Sequence, residues 1–273
     1  MNFLKTQDIY SILNNCIEYK LPFSHIRFGD GGIKYIYSIL FNDLDQLKQI
    51  CIKEGMPISK SVEFLELWAY YARHADCIDT PEVYFNNTFW PRIKSIKKKI
   101  NEETEIKMKM WKELYDRVEF YNDTYCNPES NCLFVLDIPG RKNIFDLMKN
   151  RKVCIITARP QVKQLLHNFN VTIVPIVGQF RNQYKYSFKN VMRFIKNQSR
   201  EFDFFLVAAG ELGRIYSGYI KECGGRSLDL GFVVDYWLGK RLHPRLIKFI
   251  NRSCNNPLEL KLTKYGMEYL NSI

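Results

Sequence analysis

Apolar residues recur along this chain at two spacings, and the change between them divides it. In the first 23 residues Ile9, Leu13, Cys16 and Ile17 share one helical face, which predicts a helix ending at Lys20-Leu21-Pro22. A short extended piece at 24–28 leads into a glycine-rich stretch. Helices are predicted from about Ile33 to Phe41 and from about Leu44 to Lys53. Residues 58–120 keep helical spacing, with Phe64, Leu67, Trp68 and Tyr71 and then Met108, Trp111, Leu114 and Tyr115 placed to pack between helices. From residue 131 the rhythm shortens. The runs at 132–138, 153–158, 171–177, 202–210 and 226–231 are short and apolar, and four of the intervals (141–150, 160–169, 185–197 and 212–223) are amphipathic. Strands and helices alternating at these lengths predict βαβ units. The expected fold class is α/β, Rossmann-like, with a mostly parallel sheet, helices on both faces and a helical insertion.

Composition keeps that picture and narrows the setting. The chain has 273 residues, 46% of them hydrophobic and 15% aromatic, enough for a substantial core. There is no internal repeat and no low-complexity linker, so residues 1–273 are expected to form a single domain, with a mainly helical segment at about 42–125 packed beside the sheet. No window reaches the ~18 uninterrupted apolar residues of a membrane span, and Lys5, Gln7 and Asp8 break the apolar run at the start. A cytoplasmic location is the expectation. Eight cysteines are scattered without a C-x-x-C pair, which argues against a zinc site or a disulfide framework.

Forty Lys and Arg against twenty-nine Asp and Glu give a formal charge of +11. That balance favours phosphorylated small molecules, polyanions or an anionic membrane surface. The densest run, Arg92 to Lys99, reads as a solvated helix face, or as a peripheral contact with anionic membrane. No nucleic-acid reader motif accompanies the charge, so nucleic acid is not an expected partner, and a basic nucleic-acid-associated protein is kept only as the last alternative.

Ligands of an open parallel sheet bind beyond the carboxyl ends of its strands, and several chemistry-bearing residues fall there. Gly210, Glu211 and Gly213 follow the 202–208 run just before a predicted helix, where glycine lets a phosphate approach the first N–H groups or simply makes a tight turn. Asp229 and Gly231 end the next run, and Asp235 follows six residues after Asp229. An acid there can hold a sugar hydroxyl, act as a base or cap a turn. Thr157 lies at the end of the 153–158 run and Arg159 just after it, and Arg159 is either a phosphate partner or a surface cation. His25 adjoins the glycine stretch in a supporting position, and His167 reads as structural. The four histidines show no metal-ligand spacing, and no G-x-S-x-G, P-loop or G-x-G-x-x-G motif is present.

The glycine stretch itself, Ser24-His25-Ile26-Arg27-Phe28-Gly29-Asp30-Gly31-Gly32-Ile33, resembles the N-terminal signature R-F-G-D-G-E of GT-D-type glycosyltransferases. Residues 202–236, which contain Asp229, Gly231 and Asp235, resemble that family's second block. Residues 24–38 and 202–236 carry the likeness; the helical middle and the tail after 240 do not. The resemblance implies a Rossmann-like fold that transfers sugar from a nucleotide-diphosphate donor, typically a UDP-sugar, to a hydroxyl of a glycan or glycoconjugate. It implies Asp30 as the metal or diphosphate ligand and Arg27 as a supporting cation. Gly29 and Gly31 become the backbone the diphosphate approaches. Asp229, Gly231 and Asp235 then line the donor or acceptor side, with Asp235 as the acceptor's base in an inverting transfer. One position departs. Gly32 stands where the family has glutamate, so the expected divalent cation, Mn²⁺ or Mg²⁺, loses a carboxylate. Either Glu211 or Asp235 substitutes, or transfer is metal-independent and relies on Arg27 and Arg159, or the chain is an inactive nucleotide-sugar or glycan-binding protein.

Overall fold

The computed structural model describes residues 2–3, 6–27, 38, 43–79, 125–126, 136–137, 142–178, 182–231, 233–238 and 261–262. In chain order its elements begin with β1 (Asn2–Phe3), α1 (Thr6–Glu18), β2 (Phe23–Arg27), α2 (Leu44–Glu54), α3 (Ser61–Arg73), β3 (Cys77–Asp79) and β4 (Tyr125–Cys126). They continue with β5 (Leu136–Asp137), α4 (Ile144–Met148), β6 (Val153–Thr157), α5 (Val162–Leu165), β7 (Val171–Pro175) and α6 (Lys189–Gln198). The last are β8 (Phe204–Ala208), α7 (Gly210–Glu222), β9 (Arg226–Asp229), α8 (Val233–Trp237) and β10 (Lys261–Leu262).

Local chemistry explains several of these boundaries. Asp43 caps α2 by accepting the Gln46 N–H at 3.1 Å, and Gly55, at φ +66°, closes the same helix in the left-handed conformation. Asn143 and Asp146 form a reciprocal capping box that starts the short α4. A π-type turn over Tyr184–Phe188 precedes α6.

Eight strands form one sheet in the order β1-β4-β3-β2-β9-β8-β6-β7. Every pairing in it is parallel. The five residues of β6 are all buried, as an apolar strand covered on both faces requires. Alternation sends Ile26, Cys154, Ile156, Phe205 and Val207 to one face, where they meet apolar residues of α2, α3, α6 and α7. Phe23, Val153, Ile155, Phe204 and Leu206 point to the other, where α1, α4, α5 and α8 cover them. The doubly covered parallel sheet expected from the sequence is therefore what forms. Phe64, Trp68 and Tyr71 are core residues between helices, again as expected.

Four elements differ from expectation. The first helix begins at Thr6, after a two-residue strand. Among the described residues the apolar run at 132–138 contributes β5, which pairs antiparallel with β10 in a two-stranded sheet. Within the mainly helical stretch at 42–125 lies β3, flanked in the sheet by β2 and β4. And α8 follows β9 where a strand end and a turn acid were expected. The predicted helix at 33–41 (apart from Ser38), residues 80–120 and the Arg92–Lys99 run lie outside the described residues.

The strand order places two crevices. From β2 the chain runs to β3 on one side, while β9, on the other side of β2, is reached through β8. The order reverses again at β6, whose successor β7 lies on one side and β8 on the other. Such reversals open crevices beyond the carboxyl ends of the strands.

Candidate functional site

The first crevice is bordered by the ends of β2 and β9 and by the first turn of α7. Arg27 is the last residue of β2, and Asp229 the last of β9. Asp229 joins the two strands: Oδ2 accepts the Arg27 N–H at 3.2 Å and Oδ1 accepts the Gly231 N–H at 3.0 Å. The carboxyl is buried, and that burial pushes its pKa up to about 6, against the opposing pull of the Arg27 and Arg214 guanidinium groups and the two N–H donors.

The Arg27 side chain turns back over β9, with Nη1 donating to the Leu230 carbonyl at 2.9 Å. Gly231, at φ +56°, makes room for it, since a Cβ there would lie 1.8 Å from Arg27 Nη1. From the helix side, Arg214 Nε donates to the Arg27 carbonyl at 2.6 Å, and Arg214 Nη1 pairs with Glu211. Both partners of that ion pair are largely buried. Gly210, also at positive φ, turns the chain from β8 into α7. His25, two residues before Arg27, is fully buried. Burial first, and the Arg27 charge second, lower its pKa to about 3, so it is neutral at ordinary pH.

Near the second crevice Arg159 follows β6, and its Nε donates to Asp235 Oδ1 of α8 at 2.6 Å. Both side chains remain about one-third exposed, at 38% and 35%. The Arg159 N–H is held by Thr157 Oγ1 at 3.2 Å, which fixes the turn out of the strand.

These contacts assign places to the residues singled out from sequence. Arg27, Gly210, Glu211, Asp229 and Gly231 are brought together around the β2–β9 crevice, and Arg159 meets Asp235. Gly29, Asp30, Gly31 and Gly32 lie outside the described residues. Glu211, Asp229 and Asp235 each already have a partner: an arginine, two backbone N–H groups and a second arginine. Among the described residues no three His, Cys, Asp or Glu side chains stand together as a cation site.

Sequence reasoning missed Arg214, the residue that locks α7 to β2. A basic residue in the first turns of an amphipathic helix looks like a solvated charge; its spacing of three from Glu211 was the one available hint. Also among the described residues, no helix is long and apolar enough to cross a membrane.

Comparison with known proteins agrees with this architecture. A solved structure described as a new glycosyltransferase (DUF1792) from Streptococcus sanguinis superposes with a TM-score of 0.50 at 16% identity, covering 86% of this chain and 82% of that one. The selenomethionine-substituted structure of domain of unknown function 1792 also superposes with a TM-score of 0.50, at 15% identity, covering 98% of this chain and 94% of that one. At such identities the likeness shows a shared fold. No curated protein matches the chain. The model of the GT-D fold-like domain matches residues 4–237. With that match over most of its length, the chain belongs to the GT-D fold-like family.

Proposed function

We propose that the protein is a glycosyltransferase that moves a sugar from a nucleotide-diphosphate donor, a UDP-sugar first among them, to a hydroxyl of a glycan or glycoconjugate. The observation that carries this reading is the position of the R-F-G-D-G-G stretch. It begins at Arg27, where β2 ends at the switch-point crevice, so Asp30 follows three residues beyond the strand end. In a parallel sheet that is where a nucleotide diphosphate is expected.

Asp30 faces the donor in this reading, with Gly29 and Gly31 leaving its backbone open. Arg27 and the first turn of α7, at Gly210 and Glu211, supply positive potential and backbone N–H groups near the leaving diphosphate. Asp229 supports the site from behind in this reading: buried and bonded to two N–H groups, it holds the ends of β2 and β9 in register. Arg159 and Asp235 form the acceptor side. In an inverting transfer Asp235 takes the acceptor proton through Oδ2, since Oδ1 is occupied by Arg159.

The described acids do not supply a cation site, because Glu211 and Asp235 each face an arginine. A divalent cation would rest on Asp30, donor phosphate oxygens and water, and bound there it would neutralise charge on the leaving diphosphate. Gly32 favours a second reading, a nucleotide-sugar-binding protein without transfer activity.

Incubation with UDP-, GDP- and TDP-sugars, with Mn²⁺ or with chelator, separates the two. Donor hydrolysis or transfer supports the enzyme, whereas donor binding without turnover supports the binding protein. Asp30→Asn is expected to abolish turnover with the fold intact; unchanged turnover removes Asp30 from the site. In Gly32→Glu, turnover is expected to become more dependent on Mn²⁺.

A further inference from the structure

At the opposite end of the sheet a cavity of about 510 Å³ opens between the carboxyl-terminal ends of α3 and α7. Such a volume lies within the range of small-molecule sites. Its wall is formed by Ser24 of β2, by Tyr70, Tyr71, His74 and Asp76 at and after the end of α3, and by Gly218, Lys221 and Glu222 of α7. Arg27, at the other end of the same strand, is three residues from Ser24, roughly 10 Å away at the rise of a β-strand. The donor crevice and this cavity are therefore separate.

The wall is built rather than incidental. The Tyr71 hydroxyl donates to Glu222 Oε2 at 2.8 Å. Lys221 Nζ donates to the His74 carbonyl at 2.6 Å and to Asp76 Oδ1 at 2.8 Å, and Asp76 Oδ2 accepts the Ser24 N–H at 2.8 Å. The Tyr70 and His74 rings lie against one another with centroids 4.3 Å apart, and Tyr70 remains exposed. Gly218 allows Tyr71 to pack on α7, since a Cβ there would lie 2.3 Å from the ring. At the deep end Ser24 is fully buried, yet its Oγ has no hydrogen-bond partner among the described residues. Strand alternation turns this side chain to the same face as Ile26, the face covered by α3 and α7. A buried hydroxyl without a partner in the wall of a cavity marks a place where a ligand's polar group or a water belongs.

We propose that this cavity binds a neutral, hydroxyl-rich ligand: a mono- or disaccharide. The chemistry of the wall selects that class. Two carboxylates against one ammonium oppose an anion such as phosphate. A purely apolar ligand would cover Asp76, Glu222 and Ser24 without offering them hydrogen bonds. A compact cation would be drawn to the carboxylates, but Asp76 is already paired with the Lys221 ammonium, whose charge opposes a second cation there. A saccharide satisfies each group. Its hydroxyls donate to Glu222, accept from Lys221 and pair with Ser24 Oγ, and its C–H faces rest on the Tyr70, Tyr71 and His74 rings. The proposal stands independently of the transfer reaction, because it uses no residue of the donor crevice.

Ligand-observed NMR on the full chain, with neutral hexoses, N-acetylhexosamines and their disaccharides, tests it. Inorganic phosphate and tetramethylammonium serve as the anionic and cationic probes, and Ser24→Ala, Tyr70→Ala and Glu222→Gln as variants. At least one neutral sugar is expected to bind, about five-fold or more weakly in Tyr70→Ala and Glu222→Gln, the scale of one lost contact. The affinity for UDP is expected to stay unchanged in the same variants. Because Tyr70 is exposed, Tyr70→Ala keeps the test valid even where the buried Ser24 variant fails to fold. The proposal is overturned by no binding of any sugar in the tens of millimolar, by sugar binding indifferent to both Tyr70→Ala and Glu222→Gln, or by tighter binding of phosphate or tetramethylammonium than of any sugar.

Discussion

Gly231 and Arg27 depend on each other at atomic distance. The guanidinium sits where the Cβ of any other residue at 231 would project, and the backbone there is left-handed. Gly231→Ala therefore adds strain of about 1–3 kcal/mol and pushes Arg27 off the Leu230 carbonyl. Thermal unfolding should show a fold that survives with that loss, while UDP titration shows weakened binding. Full UDP affinity in this variant would mean that Arg27 does not serve the donor. Asp229 makes a prediction in pH. Its folded-state pKa, raised to about 6 by burial, lies above the ordinary value of 3.8. The folded protein thus takes up this proton before the unfolded chain does, and the group's contribution to stability grows as pH falls through about 6. Compared with Asp229→Asn, the wild type should gain about 1 kcal/mol between pH 7 and pH 5. Denaturant unfolding at the two pH values measures it, and an equal difference at both would show that Asp229 is not held in this way.

At the scale of elements, α7 organises the site. Its first two turns carry Glu211 and Arg214, and the latter ties the helix to the last carbonyl of β2. Arg214→Ala would leave Glu211 charged and mostly buried without its arginine, a change that costs about 3–5 kcal/mol. Combining Arg214→Met with Glu211→Gln should recover part of that loss, because the stranded charge disappears with its partner. Urea denaturation of the single and double variants distinguishes the two; equal losses would argue against a buried ion pair. The elements themselves were legible to differing degrees. The helix predicted from Leu44 to Lys53 corresponds to α2, and β6 to β9 fall within the predicted runs, since each is a complete local pattern bounded by turn or cap residues. The three-residue β3 was not legible: it begins shortly after α3, at Cys77, and its length is too short to establish a period of two. Nor did the run at 132–138 reveal that β5 would pair with a segment 125 positions later, because apolarity alone does not name a partner strand.

At the scale of the whole molecule, the sheet order fixes where a donor is expected and where it is not. Both reversals open at the carboxyl ends of the strands. Hydrogen exchange with saturating UDP should slow in peptides covering 24–27, 209–216 and 229–238, and not in the edge strand β7 at 171–175. Protection confined to the amino ends of the strands would contradict the proposed donor site.

The sequence by itself determined the class of fold and the residues that end its strands. Strand and helix periodicities are local, and an apolar run buried on both faces has few stable surroundings other than a covered parallel sheet. It also placed Gly210, Asp229 and Gly231 at strand ends and turns, because glycine and short acids mark such positions wherever they occur. Only the tertiary structure decided which of them meet. Arg27 finds Asp229 across 202 positions and Arg159 finds Asp235 across 76. Those pairings follow from the side-by-side order of the strands, which depends on packing the whole chain at once and leaves no trace in the spacing of any one segment.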